Sequence, residues 1–232
     1  MKEYQLQKAV FKKSNLKIYN ADCINIMKDY KDNYFDLAIV DPPYGIGADT
    51  KNNKAIKQSK HSATFSKKYG NQIWDNNIPT KEYFNQLKRV SKNQIIWGIN
   101  YFDGFGFSGG RIYWNKNVAM PTYSDGELAY CSSIKSIKSF NYTWAGMLQQ
   151  NMKNKENRIH PTQKPIQLYN FLLTNYATKD FKILDTHLGS GSSAIASFYY
   201  GCKEFVGIEI DPNYYNKSIK RIKEQTAQIK LL

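Results

Sequence analysis

The stretch Phe35-Asp36-Leu37-Ala38-Ile39-Val40-Asp41-Pro42-Pro43-Tyr44-Gly45 decides how the rest of the chain is read. Phe35 to Val40 is an apolar run that reads as a buried parallel strand. Asp41-Pro42-Pro43-Tyr44-Gly45 then forms a sharp turn at that strand's C-terminal end, where open α/β sheets bind ligands. Pro42 and Pro43 have fixed φ and no N–H. They stiffen the turn and leave the Pro42 carbonyl free to accept a hydrogen bond. Asp41 is a second, charged acceptor, and Tyr44 supplies a flat ring. Two acceptors beside a ring suit the exocyclic amino group of a planar base. A tight turn with a helix-capping Asp uses the same residue types. The rest of the chain separates the two readings.

Outward from this turn, strands and helices alternate. Leu16 to Asn20 reads as a strand ending in Ala21-Asp22-Cys23, with a helix over Ile24 to Tyr30. Together with Phe35–Val40 this makes a βαβ unit, which places Asp22 and Asp41 on one sheet edge. Pro79 and Thr80 open a helix to about Ser91, and Gln94 to Gly98 is a strand. Arg111 to Asn115 and Gly126 to Ser132 form the antiparallel end of the sheet. Ile134 to Arg158 shows no clear periodicity. His160-Pro161-Thr162-Gln163-Lys164-Pro165 precedes a helix, with Pro165 at its first helical position, running to about Ala177. Phe181 to Leu184 is a short strand ending in Asp185. Gly189-Ser190-Gly191-Ser192 follows, then a helix from Ser193 to Tyr200. Phe205 to Ile208 is a strand ending in Glu209, and Pro212 opens the last helix. No repeat or linker interrupts the 232 residues, so one domain over 1–232 is expected.

Strand, Asp185, glycine-rich turn, helix, strand, Glu209 is a nucleoside-binding layout. The glycines admit a ligand to the backbone, and an acid ending the next strand suits a ribose diol. No Gly-Lys-[Ser/Thr] follows, so this is not a phosphate loop. Asp185 would repel a pyrophosphate, and a cationic ligand fits better. S-adenosyl-L-methionine has an ammonium, a sulfonium and a ribose.

Lys and Arg number 33 against 19 Asp and Glu, a net charge of +14. Such an excess attracts polyanions, nucleic acid above all. Abundant Lys, Asn, Ile and Tyr also fit a chain from an AT-rich genome. Gly47 to Asn77 reads as a long loop carrying Lys51, Lys54, Lys57, Lys60, Lys67 and Lys68, either a basic flap that meets phosphates or a solvated insertion. Cys23, Cys131 and Cys202 form no CxxC pair, so a reducing cytoplasm, no disulfide framework and no metal site are expected. The charged segment Met1 to Lys13 does not read as a signal peptide. No apolar run approaches the ~20 residues of a membrane span.

These pieces resemble, in order, the β group of DNA amino-methyltransferases, which methylate adenine N6 or cytosine N4. The resemblance runs from about Leu16 to Arg221. Asp41-Pro42-Pro43-Tyr44, His160 to Pro165, Ile183-Leu184-Asp185 with Gly189-Ser190-Gly191, and Val206-Gly207-Ile208-Glu209 carry it. Ile96 to Asn100 and Tyr113 to Lys116 are similar to its middle motifs. The order is circularly permuted: catalytic turn first, cofactor turn last. The resemblance implies a Rossmann-like α/β fold, a mostly parallel seven-stranded sheet with helices on both faces. It implies that Asp41, Pro42, Pro43 and Tyr44 form the catalytic turn, with Tyr44 stacked on the base. Glu209 and Ile210 would hold the ribose side of the cofactor, and Asp22 and Cys23 its adenine. Asp185, Thr186, His187, Leu188, Gly189, Ser190, Gly191 and Ser192, with His160, Pro161, Thr162 and Asp41, would surround the methionine end. Thr186-His187 departs from the family's usual Pro-Phe. DNA contacts are expected from the basic loop and from 117–158, with Lys116 and Arg158 among them. Adenine is expected over cytosine because cytosine-N4 members usually have Ser in place of Asp41. RNA adenine methylation remains an alternative, and a non-catalytic nucleic-acid-binding relative a remote one. The partner is double-stranded DNA. A homodimer and a companion restriction endonuclease, as in restriction-modification systems, are compatible with the chain, and neither is visible in it.

Overall fold

The computed structural model describes residues 9–46, 77–118, 124–145 and 147–227. The six lysines of the basic loop lie outside these residues. Nine strands form one sheet in the order β1-β2-β11-β10-β3-β4-β6-β5-β7. The strands in chain order are β1 (Ala9–Lys13), β2 (Leu16–Asn20), β3 (Phe35–Val40), β4 (Ser91–Trp97), β5 (Arg111–Asn115), β6 (Gly126–Cys131), β7 (Ile137–Asn141), β10 (Lys182–Asp185) and β11 (Glu204–Glu209). β8 (Trp144–Ala145) and β9 (Leu148–Gln149) make a separate small hairpin. The helices are α1 (Cys23–Lys28), α2 (Lys81–Val90), α3 (Ile166–Tyr176), α4 (Ser192–Tyr200) and α5 (Pro212–Ala227).

The expected seven strands become nine because both ends of the sheet are extended. β1 pairs antiparallel with β2, and β7 pairs parallel with β5. The middle, β2-β11-β10-β3-β4, is all parallel. β4 and β6, then β6 and β5, are antiparallel. The strands read at 16–20, 35–40 and 111–115 keep their bounds, and the other four shift by one to three residues at their ends. Pro165 is the N-cap of α3 and not its first helical residue; its ψ of 149° is extended, so the helix starts one residue later.

Helices cover both faces because alternate residues of each central strand point to opposite sides. Leu37, Ile39, Ile95, Trp97, Ile183 and Phe205 pack with Leu168, Leu172, Ile195 and Ile222 of α3, α4 and α5. Ala38, Val40, Ile96, Leu184, Val206 and Ile208 pack with Ile26, Met27, Phe84 and Leu87 of α1 and α2. Strands buried on both faces explain the unbroken apolar runs. A truncation such as Leu37→Ala, at 1% exposure, would cost about 2–5 kcal/mol. Caps set the helix starts: Asp22 accepts from Asn25 N at 3.0 Å for α1, and Thr80 from Tyr83 N at 3.3 Å for α2.

Candidate active site

Five parallel neighbours end on one edge of the sheet, and that edge collects the acids. Across it in space lie Asp22 after β2, Glu209 ending β11, Asp185 ending β10 and Asp41 after β3. β6 runs the other way, so its second residue, Glu127, falls on the same edge. β5 runs back again and delivers Lys116 there. The reversal at this end of the sheet therefore adds two charges to the Asp41 turn.

Asp41 is not an open acceptor. Its Oδ1 accepts from the Tyr44 hydroxyl at 2.6 Å, and its Oδ2 from Lys164 Nζ at 2.5 Å. Lys164, with a side chain only 3% exposed, also sits 2.9 Å from Glu127 Oε2 and 3.2 Å from the Tyr44 hydroxyl. Lys116 pairs with Glu127 at 2.7 Å. Two carboxylates thus face two ammoniums. The two carboxylates hold Lys164 protonated above its ordinary range, against burial. The two lysines pull Glu127 down to about 2, also against burial. Burial raises the Asp41 carboxyl, with Lys164 and Tyr44 opposing the rise.

The expected free face of Tyr44 is also in use. Its ring is stacked on Tyr101, centroids 5.0 Å apart and 17° between planes. Gly98, which follows β4, lies against that ring at φ +71°; a Cβ there would fall 2.1 Å from Tyr44 Cε1. Only glycine satisfies both the left-handed backbone and the close approach.

The second half of the edge is built by Asp185, Glu209 and Arg221. Asp185 Oδ1 accepts from His187 N at 3.0 Å and Oδ2 from the Ser193 hydroxyl at 2.5 Å. Glu209 accepts from Gly189 N at 2.8 Å and Asp211 N at 2.9 Å. Burial lifts both carboxyls to about 7. A Cβ at Gly189, where φ is +53°, would meet the His160 ring and the His187 carbonyl at 3.9 Å, ordinary contact distance. Arg221 donates to the Ser190 carbonyl and the Ser192 hydroxyl at 2.9 Å each, and to Glu156 at 2.7 Å, bracing the glycine turn from α5. His160 lies 4.3 Å from the Tyr214 ring, and its Nδ1 faces the Thr162 hydroxyl at 3.1 Å. Burial and the cations Lys164, Arg158 and Lys217 push it down to about 3. The Thr186-His187 departure has its own partner: Thr186 Oγ1 lies 2.7 Å from the Tyr83 hydroxyl and 2.9 Å from His187 Nδ1. Leu188 is buried and Ile210 is 62% exposed. The Cys23 thiol is pushed up to about 12 by burial and by Asp22.

Two residues expected to contact DNA have partners within the protein. The Lys116 side chain is 17% exposed and spends its charge on Glu127. Arg158 donates to the Pro161 carbonyl at 2.7 Å and lies over the Trp144 ring, so it braces the 160–165 segment. Residues that the sequence reading left without a role are Lys164, Glu127, Arg221, Tyr83 and Tyr101. Lys164 stood inside the quoted His160–Pro165 motif. An acid opening an otherwise apolar strand was the one signal for Glu127. Among the described residues, no helix is long and apolar enough to cross a membrane.

Residues 113–221 match a family model described as DNA methylase, of the N6/N4 type. The match covers Glu127, Lys164, Asp185 and Glu209, and begins after the Asp41 turn. The type II methyltransferase M2.MboI of Moraxella bovis is 26% identical over 252 residues, covering 93% of this chain and 90% of its own. Among solved structures, an M1.HpyAVI complex with S-adenosylmethionine aligns with 89% of this chain and 99% of its own, at 23% identity and a TM-score of 0.56. The cytosine-N4-specific PvuII DNA methyltransferase aligns with 92% and 91%, at 14% identity and a TM-score of 0.58. At these identities the structures speak for the fold.

Proposed function

We propose that this chain, a DNA amino-methyltransferase of the N6/N4 family, transfers a methyl group from S-adenosyl-L-methionine to N6 of adenine in double-stranded DNA. The observation that carries the proposal is the pairing of two half-sites on one sheet edge: the Asp41 turn and, one strand over, the acid-flanked glycine turn. The residues present fit the cofactor. Two buried carboxyls, Asp185 and Glu209, flank the glycine turn at Gly189, which suits a cationic amino-acid end and a ribose diol. Glu209 and Ile210 would hold the ribose side, Asp22 and Cys23 the adenine, and Asp185 to Ser192 with His160 to Thr162 the methionine end. Bound there, the cofactor supplies a methyl carbon on a sulfonium that departs as a neutral thioether.

The chain's own contribution is to aim the base. The amino nitrogen of adenine is a weak nucleophile because its lone pair is delocalised into the ring. Asp41 and the Pro42 carbonyl accept its two N–H bonds and turn the lone pair outward. As the N–C bond forms and the S–C bond breaks, positive charge moves onto nitrogen. One N–H proton then leaves to Asp41 and on to water. Positioning and the fixed carboxylate provide the main effects. A base stacked on the Tyr44 face now covered by Tyr101 must displace Tyr101. A base within a duplex cannot reach this turn, so it must be flipped out. Lysines of the 47–77 segment supply the phosphate contacts in this reading.

Adenine rests on Asp at the first position of the turn. The same turn would hold a cytosine amino group, and the charge would attract RNA as well. Incubation with tritiated S-adenosylmethionine and mixed DNA and RNA, followed by nucleoside analysis, separates these outcomes. N6-methyladenine in duplex DNA is expected, and its loss in Asp41→Ala at unchanged melting temperature. N4-methylcytosine, label confined to RNA, or an active Asp41→Ala protein would overturn the reading.

A further inference from the structure

We infer that Lys164 is a positioning residue for methyl transfer: in the base-free protein its ammonium holds the seat of the target amino group, and an arriving base shifts it onto Glu127. The inference rests on the methyltransferase reading above. Both oxygens of Asp41 already have donors, Tyr44 on Oδ1 and Lys164 on Oδ2. Each oxygen has a second lone pair, and an amino group that takes the one now pointed at a donor displaces that donor. The two donors are not equivalent. The Tyr44 hydroxyl lies 3.4 Å from Glu127 Oε2. Lys164 has the same carboxylate oxygen at 2.9 Å. A buried ammonium stripped of every carboxylate is strongly unfavourable, and Glu127 removes that penalty. Lys116, on the far side of Glu127 at 2.7 Å, keeps that carboxylate in place and charged. Lys164 therefore loses least by moving.

The arrangement also explains how a carboxylate waits inside a half-closed site. The Asp41 side chain is 17% exposed, and burial alone favours its protonated form. A nearby ammonium keeps it an anionic acceptor until a base arrives. The ammonium occupies that place as an N–H donor on nitrogen, as the amino group does. Swinging it off Asp41 while it keeps its 2.9 Å contact with Glu127 opens the oxygen without uncovering a charge.

The test compares Lys164→Met, Glu127→Gln and the double variant in steady-state methylation from pH 5.5 to 9. Cofactor affinity and melting temperature are measured on each to show that it is folded. Lys164→Met is expected to move the acid limb of the kcat/KM profile to higher pH, because Asp41 loses its neighbouring cation. Glu127→Gln is expected to lower kcat at least tenfold with cofactor Kd within twofold, because the displaced ammonium has nowhere to go. The double variant should be no slower than Lys164→Met, since Glu127 matters only while Lys164 carries charge. Losses that multiply in the double variant, or an unmoved acid limb, would overturn the inference while leaving the methyltransferase reading intact. A wild-type protein that transfers no label would overturn both.

Discussion

Replacing Gly98 with alanine asks whether the packing beneath Tyr44 holds the Asp41 turn. The new Cβ would lie 2.1 Å from Tyr44 Cε1, 2.5 Å from Cδ1 and 2.6 Å from Cζ. Non-bonded carbons settle about 3.5–4.0 Å apart, so the ring must retreat by roughly 1.5 Å. The hydroxyl travels with the ring, and its 2.6 Å bond to Asp41 is lost. Left-handed backbone costs alanine about 1–2 kcal/mol, and overpacking adds about 1–3 kcal/mol. The sum is about 2–5 kcal/mol. At about 2–4 °C per kcal/mol for a chain of this size, Tm falls by roughly 4–20 °C. Methylation suffers more, since misplacing a reacting group by about 1 Å can cost a factor of about 100. Gly104→Ala is the control. Gly104 has φ +82° and no atom within 4 Å of its would-be Cβ, so it carries the backbone cost alone. Calorimetric melting and initial methylation rates are measured on both. If Gly98→Ala matches Gly104→Ala in both, contact with Tyr44 does not hold the turn.

Three further outcomes are expected. S-adenosylmethionine should bind more tightly as pH rises from 6 to 8, because Asp185 and Glu209, both raised to about 7, accept hydrogen bonds best when ionised; calorimetry in two buffers should show proton release, and a pH-independent Kd counts against these roles. His160 and His187, lowered by burial to about 3 and about 4, should show no imidazole titration by NMR between pH 8 and 5. Below pH 6.5 the unfolded chain takes protons these histidines refuse, which destabilises the fold. The raised carboxyls act the other way, their stabilisation being full below their ordinary values and lost as pH rises through about 7. Stability should therefore vary little between pH 5 and 7, and a net slope beyond about 1.4 kcal/mol per unit would contradict the balance. Neutralising Lys51, Lys54, Lys57 and Lys60 together should weaken DNA binding and flatten its log–log salt dependence by about 0.9 per lost phosphate contact; an unchanged slope would mark them as solvated residues only.

The Asp41 turn, the glycine turn and the acids ending the strands were legible in the sequence because each is a local signal. An apolar run stops, and chemistry follows within a few residues. Besides the short β8-β9 hairpin, the two strands that were missed are the two edges of the main sheet. β1 lies in a charged segment, and β7 leaves four of its five residues exposed. An edge strand buries little, so it writes little hydrophobic pattern into the chain. Lys164 and Glu127 were illegible for another reason. Their meaning lies in a contact across 37 positions that exists only because β6 runs against β4. The Lys116 partner was illegible for the same reason: charge composition points outward to a polyanion, while the fold turns that lysine toward Glu127.

The strand order has a consequence for how the protein is made. β2 and β3 are neighbours in the chain but not in the sheet; β11 and β10 stand between them. Both inserted strands come from the last quarter of the sequence, after Lys182. While a ribosome is still working on the middle of the chain, the emerged part has two facing strand edges and nothing to fill the gap. Unpaired edges of this kind invite association with other chains. The permuted order thus postpones closure of the sheet until Glu209 has been made. A nascent chain stalled before Lys182 is expected to remain chaperone-bound, and one released after Ala227 to fold.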